Sequence, residues 1–177
     1  IVFDDADLDV AIPGAAMGIF ANSGQVCFAG SRLFVQKKSF DKVVAGIADF
    51  ASNLKIGSGL DPDSRIGPLI SGAQQAKVLN YIDVGQKEGA EVVTGGDVFG
   101  GEGYFIKPTV FANVNRDMRI VREEIFGPVL VATPIDDLDE LVHAANDTRY
   151  GLGAGIFTTD VNKTHLVAER LQAGNVW

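Results

Sequence analysis

The sequence contains a single cysteine, Cys27, among 177 residues. One thiol cannot form a disulfide within the chain, so Cys27 is either a packed apolar side chain or a reactive group. The two histidines, His143 and His165, share no metal-ligand spacing with each other or with Cys27. We therefore expect no metal site. A Cys-His hydrolase is a weak alternative, because one of two histidines on distant predicted helices would have to reach the thiol.

Long apolar runs and an excess of positive charge are also missing. No apolar run approaches the length needed to span a bilayer. Fifteen basic residues against twenty-three acidic ones give a formal net charge of −8, which repels a phosphate backbone. We therefore expect neither a membrane nor nucleic acid as a partner. The scarcity of cysteine and the lack of a signal peptide favour a cytoplasmic protein.

Apolar residues make up 46% of the chain, enough for one domain with its own core. Helix and strand signals alternate, which predicts an α/β fold: an open, mostly parallel twisted sheet with helices on both faces. Ser39, Asp160 and one of Asp136 and Asp137 are expected N-caps. Expected helices cover residues 9–23, 39–54, 71–87, 137–146 and 160–172, and expected strands cover residues 32–36, 91–94, 106–114, 125–134, 151–158 and both chain ends.

Three segments carry the chemistry. The first, Gly18 to Cys27, is an apolar run that breaks at Gly24 and delivers the thiol to a turn. The second runs from Glu123 to Val129 and contains Ile-Phe-Gly-Pro, and the third runs from Asn146 to Leu152 with Tyr-Gly-Leu at its end. In order and rough spacing the three resemble segments of the aldehyde dehydrogenase superfamily, and the resemblance extends over the whole chain.

The resemblance implies that Cys27 is the nucleophile of an aldehyde oxidation that proceeds through a thiohemiacetal and a thioester. Glu124 matches the family glutamate that hydrogen-bonds the nicotinamide ribose, and Phe126 matches the aromatic residue beside the nicotinamide. Gln74 and Lys77 align with positions that reach the ribose. The cofactor is NAD or NADP, with NAD favoured. The alternative for Glu124 is that it forms a solvent-exposed pair with Glu123. The alternative for Gln74 and Lys77 is that they belong to the solvent-facing side of one helical turn.

Four apolar residues surround the thiol in sequence and are the expected lining of the substrate pocket: Phe20, Ala21, Val26 and Phe28. A small Ala21 beside aromatic residues makes a roomy apolar pocket without a charged selector. This run is similar to that of phenylacetaldehyde dehydrogenases, so a small-molecule aldehyde with a bulky aromatic or medium-length chain is the expected substrate. The alternative is that Ala21 packs at a helix end.

Residues 1–177 are expected to be the catalytic, thiol-bearing domain alone. By resemblance, the cofactor-binding domain, a Glu-Leu-Gly-Gly segment carrying the general base, and a closing C-terminal segment lie outside it. We expect the isolated chain to be inactive and to bind NAD weakly, and the full-length protein to be a homo-oligomer. A noncatalytic binding or oligomerisation module is the alternative, but the intact Asn22, Gly24, Gln25, Cys27 and Glu124 count against it.

Overall fold

A computed structural model describes residues 1–177, which form six α-helices and six β-strands. The helices are α1 (Leu8–Phe20), α2 (Lys37–Asn53), α3 (Gly72–Lys87), α4 (Arg119–Arg122), α5 (Leu138–Asn146) and α6 (Val161–Arg170). The strands are β1 (Arg32–Gln36), β2 (Glu91–Thr94), β3 (Thr109–Ala112), β4 (Val129–Ile135), β5 (Gly153–Ala154) and β6 (Asn175–Val176). None of the helices combines the length and apolar character needed to cross a membrane.

The strands build a mostly parallel sheet, as the alternating sequence pattern predicts. Its central part has the order β1-β4-β3-β2, in which only β2 runs antiparallel to its neighbour. Val2 extends this sheet beyond β1 through parallel bridges to Val35 and to Phe157. The Phe157 amide donates to the carbonyl of Ile1 at 2.9 Å, and the parallel pair β5 and β6 follows.

Helices cover both faces of the sheet, because successive strand residues point to opposite sides. On β1, Leu33 and Val35 pack in a core cluster with the buried faces of α1 and α2. Phe34 points the other way and packs with Leu141 of α5 and Val167 of α6. A third cluster on that second face joins α3 and α4 to β3 and β4. The expected α/β architecture is therefore confirmed.

Two helix boundaries differ from the sequence-based expectation. Helix α1 ends at Phe20 rather than Ser23, because Asn22 and Ser23 adopt the left-handed conformation, with φ of 51° and 56°. Helix α2 begins before Ser39, with Gln36 as its N-cap residue. The Ser39 hydroxyl instead donates to Asp4 Oδ1 at 2.8 Å, so a side chain suited to capping serves a tertiary contact.

Several strands are shorter than their apolar runs suggest. Residues 125–128 lie outside β4, because Phe126 has a left-handed φ of 58° that no strand accommodates. The short helix α4 was not expected at all. Where a local signal is strong the expectation holds: β1 and β2 have their predicted bounds, and Asp137 and Asp160 are the N-caps of α5 and α6.

The strand order determines where the chemistry lies. Cys27 precedes β1 and Glu124 precedes β4. Because β1 and β4 are parallel neighbours, the segments that enter them lie side by side at the amino ends of the strands. Ligands of open α/β sheets more often bind at the carboxyl ends of the strands, so the candidate residues Cys27 and Glu124 lie at the less usual edge.

Candidate active site

The thiol lies on a tight turn, residues 22–28, called the thiol turn below. Three consecutive residues at its start are left-handed: Asn22 with φ of 51°, Ser23 with φ of 56° and Gly24 with φ of 69°. Glycine accepts this conformation without cost, whereas residues with a Cβ are strained in it. The turn reverses the chain between α1 and β1 and brings Cys27 to the surface.

Side-chain hydrogen bonds tie the thiol turn to a distant segment. The Ser23 hydroxyl donates to the carbonyl of Gly67 at 2.7 Å, and the Ile70 amide donates to Gln25 Oε1 at 2.9 Å. Ser23 is almost fully buried, with 2% of its surface exposed. Both partners lie just before α3, so this segment supports the turn from outside.

Cys27 itself makes no such bonds. It is exposed and occupies the middle of a turn closed by the Ala29 amide, which donates to the carbonyl of Val26 at 3.1 Å. The backbone amide of Cys27 donates to no group of the chain. A free thiol and a free amide on the same residue are the two groups that a thiol nucleophile and its oxyanion stabilisation require.

The segment opposite the thiol turn, residues 123–128, is called the glutamate segment. Its first residue, Glu123, is fully engaged: Arg119 donates two hydrogen bonds at 2.9 and 3.0 Å, and the Tyr81 hydroxyl donates a third at 2.7 Å. The Arg119 guanidinium and then the Tyr81 hydroxyl lower the pKa of Glu123 to about 2. The same contact raises the pKa of Tyr81.

Glu124 and Phe126 differ from Glu123 in being available. The Glu124 carboxylate is exposed and forms no hydrogen bond or ion pair within the chain, and the Phe126 ring is half-buried. The Gln74 amide group donates to the carbonyls of Ile125 and Phe126 at 3.1 and 2.8 Å, which holds the left-handed bend. Gln74 thus supports the segment through its amide nitrogen.

The two segments meet at a pair of glycines. A Cβ on Gly24 would lie 2.0 Å from the carbonyl oxygen of Gly127, and a Cβ on Gly127 would lie 2.5 Å from a methyl group of Val78 on α3. Real Cβ atoms never approach backbone so closely. Glycine at both positions lets the thiol turn, the glutamate segment and α3 pack in direct contact.

A cavity of about 700 Å³ opens between these segments, with a lining that is mainly apolar. Of the sequence-predicted site residues, it is lined by Cys27, Val26, Phe28, Glu124 and Phe126. The other four, which do not line it, are Gln74, Lys77, Phe20 and Ala21. The structure therefore gathers the candidate nucleophile, its two apolar neighbours and the two principal cofactor candidates in one place.

The four remaining residues have other surroundings. Phe20 is fully buried in the core with α2, because it occupies the inner face of α1. Ala21 is half-buried at the end of that helix, and the Lys77 ammonium lies 6.0 Å from the centre of the Tyr81 ring. The assignment of Phe20 to the substrate pocket does not agree with this placement, since helical periodicity turns its ring inward.

Sequence reasoning missed several residues of the cavity. Trp177 packs its ring 5.7 Å from that of Phe28, and the pair forms one apolar wall. Arg32 also lines the cavity and donates to the carbonyls of Ala144 and Ala145 at the C-terminus of α5, while burial lowers its pKa. The sequence could have indicated these two residues only through their position, since Arg32 lies in the short strand β1 and Trp177 directly follows β6.

The third sequence motif, residues 146–152, lines the cavity with all of its residues except Asp147, and its first residue also joins two helices. The Asn146 amide group donates to the carbonyl of Arg170 and accepts from the amide of Gln172, both at 2.9 Å. This clamp joins the ends of α5 and α6 and leads the chain into β6. It holds the strand pair that closes the far side of the cavity.

No group of three or more histidine, cysteine or acidic side chains could hold a metal ion. His143 and His165 are exposed on α5 and α6 and do not line the cavity, which leaves a Cys-His hydrolase without support. The free Glu124 carboxylate suits the hydroxyl groups of a ribose and the Phe126 ring suits a planar heterocycle. The residues present thus fit the nicotinamide half of a dinucleotide.

Comparison with known proteins identifies one protein family. The model of the Aldehyde dehydrogenase family matches residues 1–177. The chain is 51% identical over 177 residues to the DhaS protein of Bacillus subtilis (strain 168), and 48% identical over 180 residues to betaine aldehyde dehydrogenase 1 of Rhizobium meliloti (strain 1021). All of this chain is covered, but only 36% and 37% of these relatives.

Solved structures agree with the sequence relatives. The NAD⁺ complex of the aldehyde dehydrogenase from Bacillus cereus superposes with a TM-score of 0.97 at 49% identity, covering 99% of this chain and 36% of that one. Betaine aldehyde dehydrogenase from Staphylococcus aureus, also with NAD⁺, gives a TM-score of 0.97 at 39% identity, with the same two coverages. The chain spans little more than a third of the proteins it matches.

Proposed function

The chain belongs to the aldehyde dehydrogenase family, and from this premise we propose that residues 1–177 are the thiol-bearing catalytic part of a longer NAD(P)-dependent aldehyde dehydrogenase. The observation that carries the proposal is the exposed, unpartnered Cys27 on a strained turn, in the same cavity as the free Glu124 carboxylate. NAD is the favoured cofactor, since relatives of this fold have been solved with it. A homo-oligomeric full-length protein remains a prediction.

Cys27 acts on the aldehyde as a nucleophile. Its thiol first loses its proton to solvent, and the thiolate sulfur then forms a bond to the carbonyl carbon while the π-electron pair moves to oxygen; the free Cys27 amide donates to that oxyanion. The oxygen electron pair then re-forms the carbonyl and the C–H bond breaks, so that hydride leaves; bound nicotinamide would supply the acceptor for it. Water then displaces the sulfur from the resulting thioester, which releases a carboxylic acid and regenerates the thiol. Glu124 would hold the nicotinamide ribose through its hydroxyl groups, and Phe126 would pack against the nicotinamide ring.

The cavity wall supports an aromatic aldehyde as the substrate. Phe28 and Trp177 form an aromatic pair beside the thiol, and the lining is mainly apolar. We expect an aromatic aldehyde such as phenylacetaldehyde to be preferred over acetaldehyde. The same pair would also attract the quaternary ammonium group of betaine aldehyde by a cation–π contact. Betaine aldehyde is therefore included among the substrates to be tested.

The test is a chimera in which residues 1–177 replace the corresponding segment of the Bacillus cereus enzyme. Aldehyde-dependent NAD⁺ reduction is expected, and Cys27→Ser should reduce it by on the order of a thousandfold or more. Glu124→Gln should raise KM for NAD⁺ and leave alkylation of Cys27 unchanged. Activity that survives Cys27→Ser would overturn the proposal.

The isolated 177-residue chain serves as the matched control. It should neither oxidise aldehydes nor bind NAD⁺ with micromolar affinity in calorimetry, because the general base and most of the cofactor site are expected outside it. In the chimera, Phe28→Ala should lower kcat/KM for phenylacetaldehyde more than for acetaldehyde, by roughly tenfold. Equal losses, or a preference for betaine aldehyde, would reject the aromatic substrate.

A further inference from the structure

We propose that Ser23 is a positioning residue for Cys27, and that its hydroxyl holds the thiol turn in the orientation in which the sulfur attacks. The inference rests on the proposed function only in taking Cys27 as the reacting group. It starts from an unusual feature of the backbone: two neighbouring residues with side chains, Asn22 and Ser23, are both left-handed.

This conformation is unfavourable for the chain by itself. A left-handed residue with a Cβ costs roughly 1–2 kcal/mol, and asparagine tolerates it better than serine. Such residues persist only where the surrounding structure over-determines them, and they cluster at functional sites. Ser23 therefore requires an anchor outside the turn, since Gly24 alone would allow the turn to relax.

The anchor is the hydrogen bond from the Ser23 hydroxyl to the carbonyl of Gly67, 44 positions along the chain. The residue is 2% exposed, so water cannot replace this partner, and a serine hydroxyl has only one proton to donate. The next two residues are also bound to outside segments: Gly24 packs on the carbonyl of Gly127, and Gln25 accepts from the amide of Ile70.

The position of Cys27 is fixed by these anchored neighbours. Its own amide has no partner in the chain, and its side chain is exposed. The direction in which the thiol points into the cavity therefore depends on the anchored residues Ser23, Gly24 and Gln25. A misplacement of about 1 Å costs an enzyme on the order of a hundredfold in rate, so a loosened turn affects reaction more than it affects stability.

The test uses alkylation of the 177-residue chain, which needs neither cofactor nor aldehyde. Iodoacetamide reports a reactive thiol, whereas N-benzyl iodoacetamide reacts faster when its ring can lie in the apolar cavity during attack. The ratio of the two rates, benzyl over plain, should exceed the ratio measured on the urea-unfolded chain. Ser23→Ala should lower it at least about threefold, a change equivalent to loss of one hydrogen bond.

Ser52→Ala is the matched control, because it removes a hydroxyl-to-carbonyl bond of 2.8 Å within α2 and a 3.0 Å contact with Thr94 Oγ1, neither of which involves the thiol turn, and it should leave the ratio unchanged. Ser23→Gly accepts the left-handed conformation but lacks the hydroxyl, and the ratio should fall there too, which keeps the test available if Ser23→Ala does not fold. A native ratio in folded Ser23→Gly, or a wild-type ratio equal to that of the unfolded chain, would overturn the proposal. Failure of the chimera to oxidise aldehydes would count against the proposed function but would leave this proposal about Ser23 standing.

Discussion

The thiol turn and the glutamate segment face each other across one cavity and are built on the same plan. Left-handed backbone occurs in both, at three consecutive residues of the thiol turn and at Phe126 alone in the glutamate segment, and each leaves one side chain free while a neighbour is anchored. In the thiol turn, Ser23 is anchored and Cys27 is free. In the glutamate segment, Glu123 is bound by Arg119 and Tyr81, whereas Glu124 has no partner.

The two regions differ in the nature of their anchors. The thiol turn is held by neutral hydrogen bonds and by close glycine packing, neither of which titrates. The glutamate segment shares the glycine contact and the neutral Gln74 bonds, but it has in addition an ionic cluster at the surface, in which the Glu123 side chain is 33% exposed and that of Arg119 is 48% exposed. The anchors of the thiol turn are thus insensitive to pH and salt, while the ionic anchor of the glutamate segment is open to both.

The largest expected effect is on the contact between the two regions. Gly24→Ala places a Cβ 2.0 Å from the Gly127 carbonyl at a φ of 69°, so we expect a loss of roughly 3 kcal/mol or more in the free energy of unfolding. Urea titration measures it. Gly30→Ala is the control, because its nearest contact would be 3.9 Å away; equal losses for both would contradict the packing argument.

A smaller loss is expected for Gln74→Ala, which tests whether a neutral anchor also matters in the glutamate segment. It leaves the carbonyls of Ile125 and Phe126 without this donor, at a cost of roughly 1–3 kcal/mol. Gln86→Ala, an exposed change on the same helix, should have no effect in the same urea titration. Equal free energies of unfolding for Gln74→Ala and Gln86→Ala would mean that the ionic cluster alone holds the bend.

Acid should affect the two regions differently. Because the pKa of Glu123 is lowered from 4.5 to about 2 in the fold, its contribution to stability is fully present above the unfolded pKa and is lost as pH falls toward 2. Glu123→Gln should therefore flatten the fall in melting temperature between pH 5 and 2, whereas Glu91→Gln should not. A wild-type slope in Glu123→Gln would show that the cluster does not couple to folding.

Salt should give the smallest effect. Sodium chloride screens exposed ion pairs, so the stability difference between wild type and Glu123→Gln should shrink as its concentration rises. The difference between wild type and Ser23→Ala should stay constant, because a buried neutral bond is not screened. Parallel melting curves at low and high salt provide the measurement. The comparison of anchors would lose its basis if both differences changed alike.

Much of the fold could be predicted from local signals. Asp137 and Asp160 cap their helices as their side chains indicate, and β1 and β2 have the bounds expected of their residues. Predictions failed where a distant partner decided the outcome. Ser39 bonds to Asp4 instead of capping α2, and Phe126 leaves the strand pattern at a bend that Gln74 holds.

The site divides in the same way. The thiol, the break of α1 near Gly24 and the apolar run of β4 follow from the sequence by itself, because each depends on residues within one or two turns of chain. Only the tertiary structure decided that β1 pairs with β4, which brings Cys27 and Glu124 to one cavity, and that Phe20 lies in the core rather than beside the thiol. Strand order depends on how helices pack on both faces of the sheet, and no local pattern encodes that packing.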